Sequence, residues 1–552
     1  MLKIGIIARE GTPTPLIHQF YALSGNSPSY TIVAVLLERG SPSPLAGRSS
    51  SCLSPALAHL SGTIQRQALS WVERGERALI GRRLPRPVDA DFTMEAFGVP
   101  MRVLEPASSR PAHPFGATKA DLAWILALEL DLVFDARGGA FVEAGRDWSR
   151  MGVLSFDYLI QQRLWGRPPG FWEVFRRQAA TPFRLVLQGQ GSQEGVVLFQ
   201  GSLATERLST LNAHLLGLKT AHFLHQTLER LADQPGAPLL TRPSPDCRPA
   251  DKLPRLPEIL GYCLKTFLAL FGRVLSRRMG WDYRWSVHYQ WTDSFMTAAL
   301  SASRPIKNPP HRYLADPFVV SHQGQTVMFV EDYDFRSRLG KITAYQLDSS
   351  GHRALGTVLE EDFHLSYPYL LTVGDDLYMI PETSASKSLR IYRAVEFPLR
   401  WALHRVIMEG VSAAESALFE WKGRYWLLTN LDSSGLDDHH SELHLFHADR
   451  FDSTDWIPHP MNPLFCELGR GRNGGLIVAD GAIYRVFQRK DFDRYGASMG
   501  VAEVTELTET RYEERWLFDV PPEFLPGLCG THTLSFAAGV LCLDTLRFES
   551  VR

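Results

Sequence analysis

The sequence predicts a multidomain chain: an α/β open sheet over residues 1–233, a Pro-rich linker with a basic amphipathic helix over 234–281, and an all-β five-bladed propeller over 282–552. Three observations predict it. β-like runs alternate with helical stretches in the first part, Pro and polar residues crowd together near 234–257, and short β-runs with Gly turns recur after 282 at a period near 50 residues.

In the first part, KIGIIA, YTIVAVLLE and LDLVFDA have the texture of buried strands. ATKADLAWILALEL and LSTLNAHLLGLKTAHFLHQTLERLA have apolar residues at helical spacing. Alternating strands and helices build an open sheet with helices packed on its faces. The first strand-to-helix turn, AREGTPTP, holds one Gly and no GxGxxG, so it carries no dinucleotide fingerprint.

The linker QPGAPLLTRPSPDCRPADKLPRLP is followed by Leu256, Ile259, Leu260, Cys263, Leu264, Phe267, Leu268 and Phe271 at helical spacing. Two readings stand for this helix. It packs between domains, or, with Lys265, Arg273, Arg277 and Arg278, it makes peripheral contact with a membrane surface through residues 256–278.

The repeat defines the rest. In ADPFVVSHQGQTVMFVED, Asp316 opens one β-run and Glu331 closes the next, 15 positions later. Tyr367 to Glu382, Glu415 to Asn430, and Asn473 to Gln488 repeat that spacing, and a shorter fifth unit begins at His532. Unit starts are 51, 48, 58 and 59 residues apart. Strand repeats of that period suggest propeller blades. Each hairpin puts the start of its first strand and the end of its second at one open end. Five hairpins around an axis therefore gather Asp316, Glu331, Glu382, Glu415, Gln488 and His532 at one mouth, with Arg472 and Tyr495 from the fourth unit.

Bulk properties exclude other classes. A net charge of −2 gives no electrostatic basis for nucleic-acid binding. Six scattered cysteines form no CxxC pair, which fits a reducing compartment. No cluster has metal-ligand spacing; His439 and His440, beside Asp437 and Asp438, read as a polar inter-blade loop. MLKIGIIAREG lacks a signal-peptide core, and no stretch of 18 uncharged apolar residues stands out as a span. The expected location is cytoplasmic, with membrane association through the helix, and no cofactor is implied.

HRYLADPFVV, MFVEDYD, YPYLL with YMIPETS, AAESALFEWKGRYW, RNGG, YRVFQ, DRYG, EVTELT and GTHT carry a resemblance. The region 282–552 resembles the five-bladed propeller of the arabinanase, levansucrase and invertase superfamily. It is closer to the propeller domain of glucosamine inositolphosphorylceramide transferase-like proteins. The resemblance implies paired-carboxylate chemistry on a glycosidic bond. It places the general base on Asp316 and the general acid on Glu415. Tyr367 stands where a second-blade Asp is usual, and Glu382 is the acid able to substitute. Glu331, Tyr367, Tyr369, Arg472, Asn473, Gln488, Tyr495 and His532 are the expected substrate-binding residues. The implied partner is a glycan, a nucleotide sugar or a glycolipid.

A second resemblance rests on MGVLSFDYLI, WGRPPGFWEV and GVVLFQG. Roughly residues 1–215 look like the formyltransferase catalytic domain, a Rossmann-type sheet. That family's Asn, His and Asp fall on Ser155, Asp157 and Gln193 or the adjacent Glu194, and none matches. Losing the imidazole donor would remove about 3–4 kcal/mol of oxyanion stabilisation. The implied domain is degenerate for formyl transfer, with Asp157 and Glu173 as candidates for a repurposed site. Three functions remain open: carbohydrate chemistry in the funnel, N-formylation of an amino sugar from formyl-tetrahydrofolate, and non-enzymatic glycan recognition.

Overall fold

The computed structural model describes residues 1–10, 14–39, 55–80, 93–104, 118–137, 147–158, 169–189, 195–233 and 254–550. Most of the Pro-rich linker, most of WGRPPG, and Gln193 with Glu194 lie outside the described residues. The chain falls into two compact units, Met1–Leu268 and Ala269–Arg552.

The first unit is an α/β sheet. Its strands are β1 (Leu2–Arg9), β2 (Tyr30–Glu38), β3 (Met101–Leu104), β4 (Leu132–Asp135), β5 (Val153–Asp157), β6 (Ala180–Gln188) and β7 (Val196–Ala204). They lie in the order β3-β2-β1-β4-β5-β6-β7. Pairing is parallel from β3 to β5 and antiparallel from β5 to β7. Ile4, Ile6 and Ile7 of β1 are all fully buried, as expected of a strand covered on both faces. The helices are α1 (Pro15–Ser24), α2 (Pro55–Ile80), α3 (Lys119–Ala127), α4 (Phe171–Arg176), α5 (Ser209–Asp233) and α6 (Leu256–Arg278). A reciprocal capping box between Thr118 and Asp121 starts α3. The strand order reverses between β1 and β4, and there Arg137 clamps Asp135 and Glu38 at 2.6 and 3.1 Å. α6 runs across the division between the units.

The second unit is a five-bladed propeller. It opens with β8 (Trp281–Trp291) and β9 (Arg304–Pro305). Blade one is β10 (Arg312–His322), β11 (Gln325–Asp334), β12 (Leu339–Asp348) and β13 (Gly351–Leu359). Blade two is β14 (Ser366–Val373), β15 (Asp376–Glu382), β16 (Ser388–Glu396) and β17 (Arg400–Glu409). Blade three is β18 (Ala413–Trp421), β19 (Arg424–Leu431), β20 (Glu442–Ala448) and β21 (Ile457–Pro458), with β22 (Phe465–Cys466) also on β20. Blade four is β23 (Asn473–Ala479), β24 (Ala482–Arg489), β25 (Ser498–Leu507) and β26 (Tyr512–Val520). β27 (Leu534–Ala537) and β28 (Val540–Ser550) complete blade five together with β8 and β9.

The fifth blade is therefore sewn from both ends of the unit. β28 pairs with β8 antiparallel over eleven residue pairs, from Val540–Trp291 to Ser550–Trp281. That pairing closes the ring. Four inner hairpins turn through two residues with positive φ, Gln323–Gly324, Lys422–Gly423, Asp480–Gly481 and Ala538–Gly539, as type I′ turns require. Between blades two and three, Ile380, Leu389 and Ile391 share one apolar core with Leu418, Leu427 and Leu443.

Candidate functional site

One backbone device recurs at the inner strand of successive blades. The register between first and second strands shifts at Ala315/Phe318, at Ser366/Tyr369 and at Ala414/Ala417. The residue inside each shift, Asp316, Tyr367 and Glu415, has φ of 49°, 45° and 50°. A left-handed conformation costs a non-glycine residue on the order of 1 kcal/mol or more, and such strain clusters at functional sites. A bulge bends the strand and re-aims the side chain it carries. Asp316, Tyr367 and Glu415 are thus structural equivalents, and the tyrosine occupies the acid's place in blade two. Blade four has its shift between Asn473 and Gly475, with the positive φ on Gly475.

Glu415 is buried at the end of this device. Its Oε1 accepts from Arg472 Nη2 at 2.7 Å, Arg472 Nε at 3.2 Å and the Tyr495 hydroxyl at 3.3 Å. Its Oε2 has no hydrogen-bond partner among the described residues. Burial pushes the carboxyl up to about 8 against the pull of Arg472, and Asp316 and Glu382 push the same way. The result is a carboxyl group with one anchored oxygen and one bare oxygen.

Asp316 sits in a different environment. Its Oδ1 accepts from Thr533 Oγ1 at 2.6 Å and lies 3.5 Å from His532 Nε2. Its Oδ2 accepts from the Tyr367 backbone N–H at 3.3 Å. Behind it, Asp544 Oδ1 accepts from the backbone N–H groups of His532 and Thr533, and Oδ2 lies 2.6 Å from His532 Nδ1. Asp544 Oδ2 also accepts from the Asp316 N–H. Burial lowers the proton affinity of His532, but Asp544 and Asp316 outweigh it and hold the ring above the ordinary histidine range. Burial raises Asp316, with His532 pulling down and Asp544 pushing up. Ligand atoms of Asp316, His532 and Asp544 all lie within 4.8 Å of one another, a set among the described residues able to hold a cation. With His532 protonated, they form a closed ion-paired triad instead.

Most of the expected residues converge here. Glu331 is driven well above the carboxylate range, first by burial and then by Asp316, Glu382 and Glu415. Tyr367 is fully buried, and its hydroxyl has no partner among the described residues while feeling Glu415 and Asp316. The Arg472 guanidinium lies 4.8 Å from the centre of the Tyr495 ring. Asn473 and Gln488 act one step back. Asn473 Nδ2 donates to the Glu415 carbonyl at 2.9 Å, and Gln488 Nε2 donates to the Asn473 carbonyl at 2.6 Å. Both brace the backbone that carries Glu415.

Tyr369 differs from expectation. It packs 5.6 Å from Phe318 inside the core between blades two and three, because residues just past the bulge resume the strand's alternation. Several participants were not anticipated. Asp544 is fully buried beneath the funnel. His440 turns inward, with Nδ1 3.3 Å from Arg472 Nη1 and its ring 5.6 Å from that of Tyr495, so this loop does more than link strands. His364 Nε2 lies 3.5 Å from Glu331.

Residues 290–521 match the family described as glucosamine inositolphosphorylceramide transferase 1, N-terminal. The match includes Asp316, Tyr367, Glu382, Glu415, Arg472 and Tyr495, and ends before His532 and Asp544. The chain is 29% identical over 231 residues to glucosamine inositolphosphorylceramide transferase 1 of Oryza sativa subsp. japonica, covering 39% of this chain and 31% of that protein. It is 29% identical over 232 residues to the Arabidopsis thaliana protein of the same name, covering 39% and 30%. The matched segment spans about a third of the length of these relatives. A family 117 glycoside hydrolase of Zobellia galactanivorans aligns in structure over 48% of this chain and 90% of its own, at 10% identity and a TM-score of 0.32.

In the first unit, Ser155 lies half-buried on β5 and Asp157 is bound by Arg184 at 2.5 Å.

Proposed function

We propose that the propeller funnel binds a glycan or glycoconjugate and makes or breaks a glycosidic bond there. Glu415 is the general acid, donating from Oε2 to the leaving oxygen. Asp316 is the base that takes a proton from the attacking water or hydroxyl. Glu382, at the paired end of the blade-two hairpin, supplies the second-blade carboxylate that Tyr367 does not. The observation that carries this reading is the bare, buried oxygen of Glu415, on a carboxyl that burial pushes up to about 8, beside Asp316, Glu331 and Glu382. A glycosidase acid needs a raised pKa, and its partner needs to be a second carboxylate. The relatives are named for a glucosamine inositolphosphorylceramide transferase, which supports a glycolipid or nucleotide-sugar ligand and transfer to a hydroxyl.

Replacing Glu415 with Gln or Asp316 with Asn should abolish turnover while the fold is retained. Full turnover in both variants would refute the reading.

A second reading has its own support. Asp316 is held by Thr533, His532 and a backbone N–H, an arrangement that also suits a fixed recognition group in a protein that binds glycans without reacting. Sugar binding without turnover in the native protein would favour it. For the first unit we propose a formyltransferase-like scaffold that does not transfer formyl groups, since Arg184 engages the acid at the family's His position. Calorimetric binding of formyl-tetrahydrofolate at micromolar affinity would revive amino-sugar formylation. Membrane contact, the other expected partner, is carried by a different element, α6.

A further inference from the structure

α6 places an unusual amount of apolar surface in solvent. Of its side chains only Ile259 and Tyr262 are buried. Tyr262 is anchored in the first unit, where its hydroxyl donates to Glu76 and accepts from the Ser209 N–H. Leu256, Leu260, Leu264, Leu268, Val274 and Leu275 are exposed, Leu260 by 68% and Leu264 by 59%. Phe267 and Phe271 share that face and are more than half exposed. At about 100° per residue these positions form one stripe about 120° wide, and Ile259 and Tyr262 fall outside it.

We propose that this stripe is the surface by which the protein lies on an anionic phospholipid bilayer. Charge selects the occupant. From Ile259 to Arg278 there is no acidic residue, while Lys265, Arg273, Arg277 and Arg278 are basic. A helix with an apolar face and basic flanks seats at the boundary of headgroups and acyl chains. Past its end, Met279 and the half-exposed aromatics Trp281, Tyr283 and Phe548 also present apolar surface, with Phe548 5.8 Å from Trp281 and 5.2 Å from Tyr283. Aromatics of this kind favour the headgroup level.

By length and composition α6 could cross a membrane, where the sequence reading found no span. Its anchoring argues for lying on the surface. With Ile259 and Tyr262 docked, Cys263 to Arg278 covers only about 24 Å at about 1.5 Å per residue. A hydrocarbon core is about 30 Å thick. The surface stands apart from the funnel reading, since none of its residues belongs to the funnel.

The test is co-sedimentation of the full chain with vesicles of phosphatidylcholine alone and of phosphatidylcholine mixed with phosphatidylglycerol. A variant carrying Leu260→Gln, Leu264→Gln and Leu268→Gln is run beside it, with sedimentation velocity of both proteins without lipid. The expected result is binding to the anionic vesicles that weakens with salt and drops roughly tenfold or more in the variant, at unchanged melting temperature. Three results would overturn the proposal. They are no pelleting of the native chain, equal pelleting of the variant, and a lipid-free dimer that the variant converts to monomer, which would give the stripe to a second copy.

Discussion

Arg472 holds Glu415 by a single oxygen. Its Nε and Nη2 both donate to Oε1, and Oε2 stays bare. A two-oxygen clamp would make Glu415 a permanent anion. The one-sided grip fixes the carboxyl in place and leaves an oxygen for a proton.

Glu415 binds its proton more tightly in the folded chain, up to about 8 against an ordinary 4.5. The folded state therefore holds more protons than the unfolded state between those values. Its stability contribution is full below about 4.5 and is lost as pH rises through about 8. Melting temperature should fall from pH 5 to pH 9, and fall less steeply in Glu415→Gln. Activity should decline over the same alkaline limb, because only protonated Glu415 donates.

Tyr367→Phe separates function from folding. The hydroxyl it removes is buried and has no partner among the described residues, so stability should hold or rise by about 1 kcal/mol. If that hydroxyl meets substrate, turnover or sugar affinity should fall about tenfold or more. Denaturant titration and kinetics on one preparation check both halves.

Asp544→Ala should be costly. It strips partners from three backbone N–H groups and from the charged His532 together. A loss of about 3–5 kcal/mol is expected when one partner of a buried ion pair is removed. Asp544→Asn should lose less, because an amide oxygen still accepts two of those bonds.

Glu514 is the buried acid of a separate ion-pair cluster in blade four. It takes bonds from Arg485, Arg470 and Tyr512, and the two arginines hold its pKa down to about 2 despite burial. Its contribution is present above about 4.5 and is lost as pH falls toward 2, the reverse of Glu415. Glu514→Gln should lower stability at neutral pH, flatten the acid limb of a melting profile and leave sugar affinity unchanged.

The propeller was legible because a strand repeat near 50 residues survives without any single strong motif. Its register was legible too, since Asp316, Tyr367 and Glu415 fall at matching points of three hairpins. The closure of blade five was not, because β8 lies some 250 residues from β28 and no local pattern links them. Asp544 was hidden inside an apolar run, LCLDTL, although a lone acid in such a run is itself a sign of a buried partner. His440 looked like loop polarity because its contacts with Arg472 and Tyr495 come from blade four. Tyr369 looked like a funnel residue because sequence spacing does not show which side of a bulge a side chain takes. The α2 helix was missed, its apolar residues being diluted by Arg and Gln.

The most direct test of the central claim is ligand-dependent thermal stabilisation of the purified chain. The panel is nucleotide sugars, oligosaccharides and formyl-tetrahydrofolate, with native protein and Asp316→Asn side by side. A ligand bound by the native state raises the melting temperature by mass action, about 2.7 kcal/mol at a hundredfold excess over Kd. Funnel chemistry on Asp316 predicts a sugar-bearing ligand that stabilises the native chain and is weakened by Asp316→Asn. Stabilisation by the folate alone, indifferent to Asp316, would contradict it.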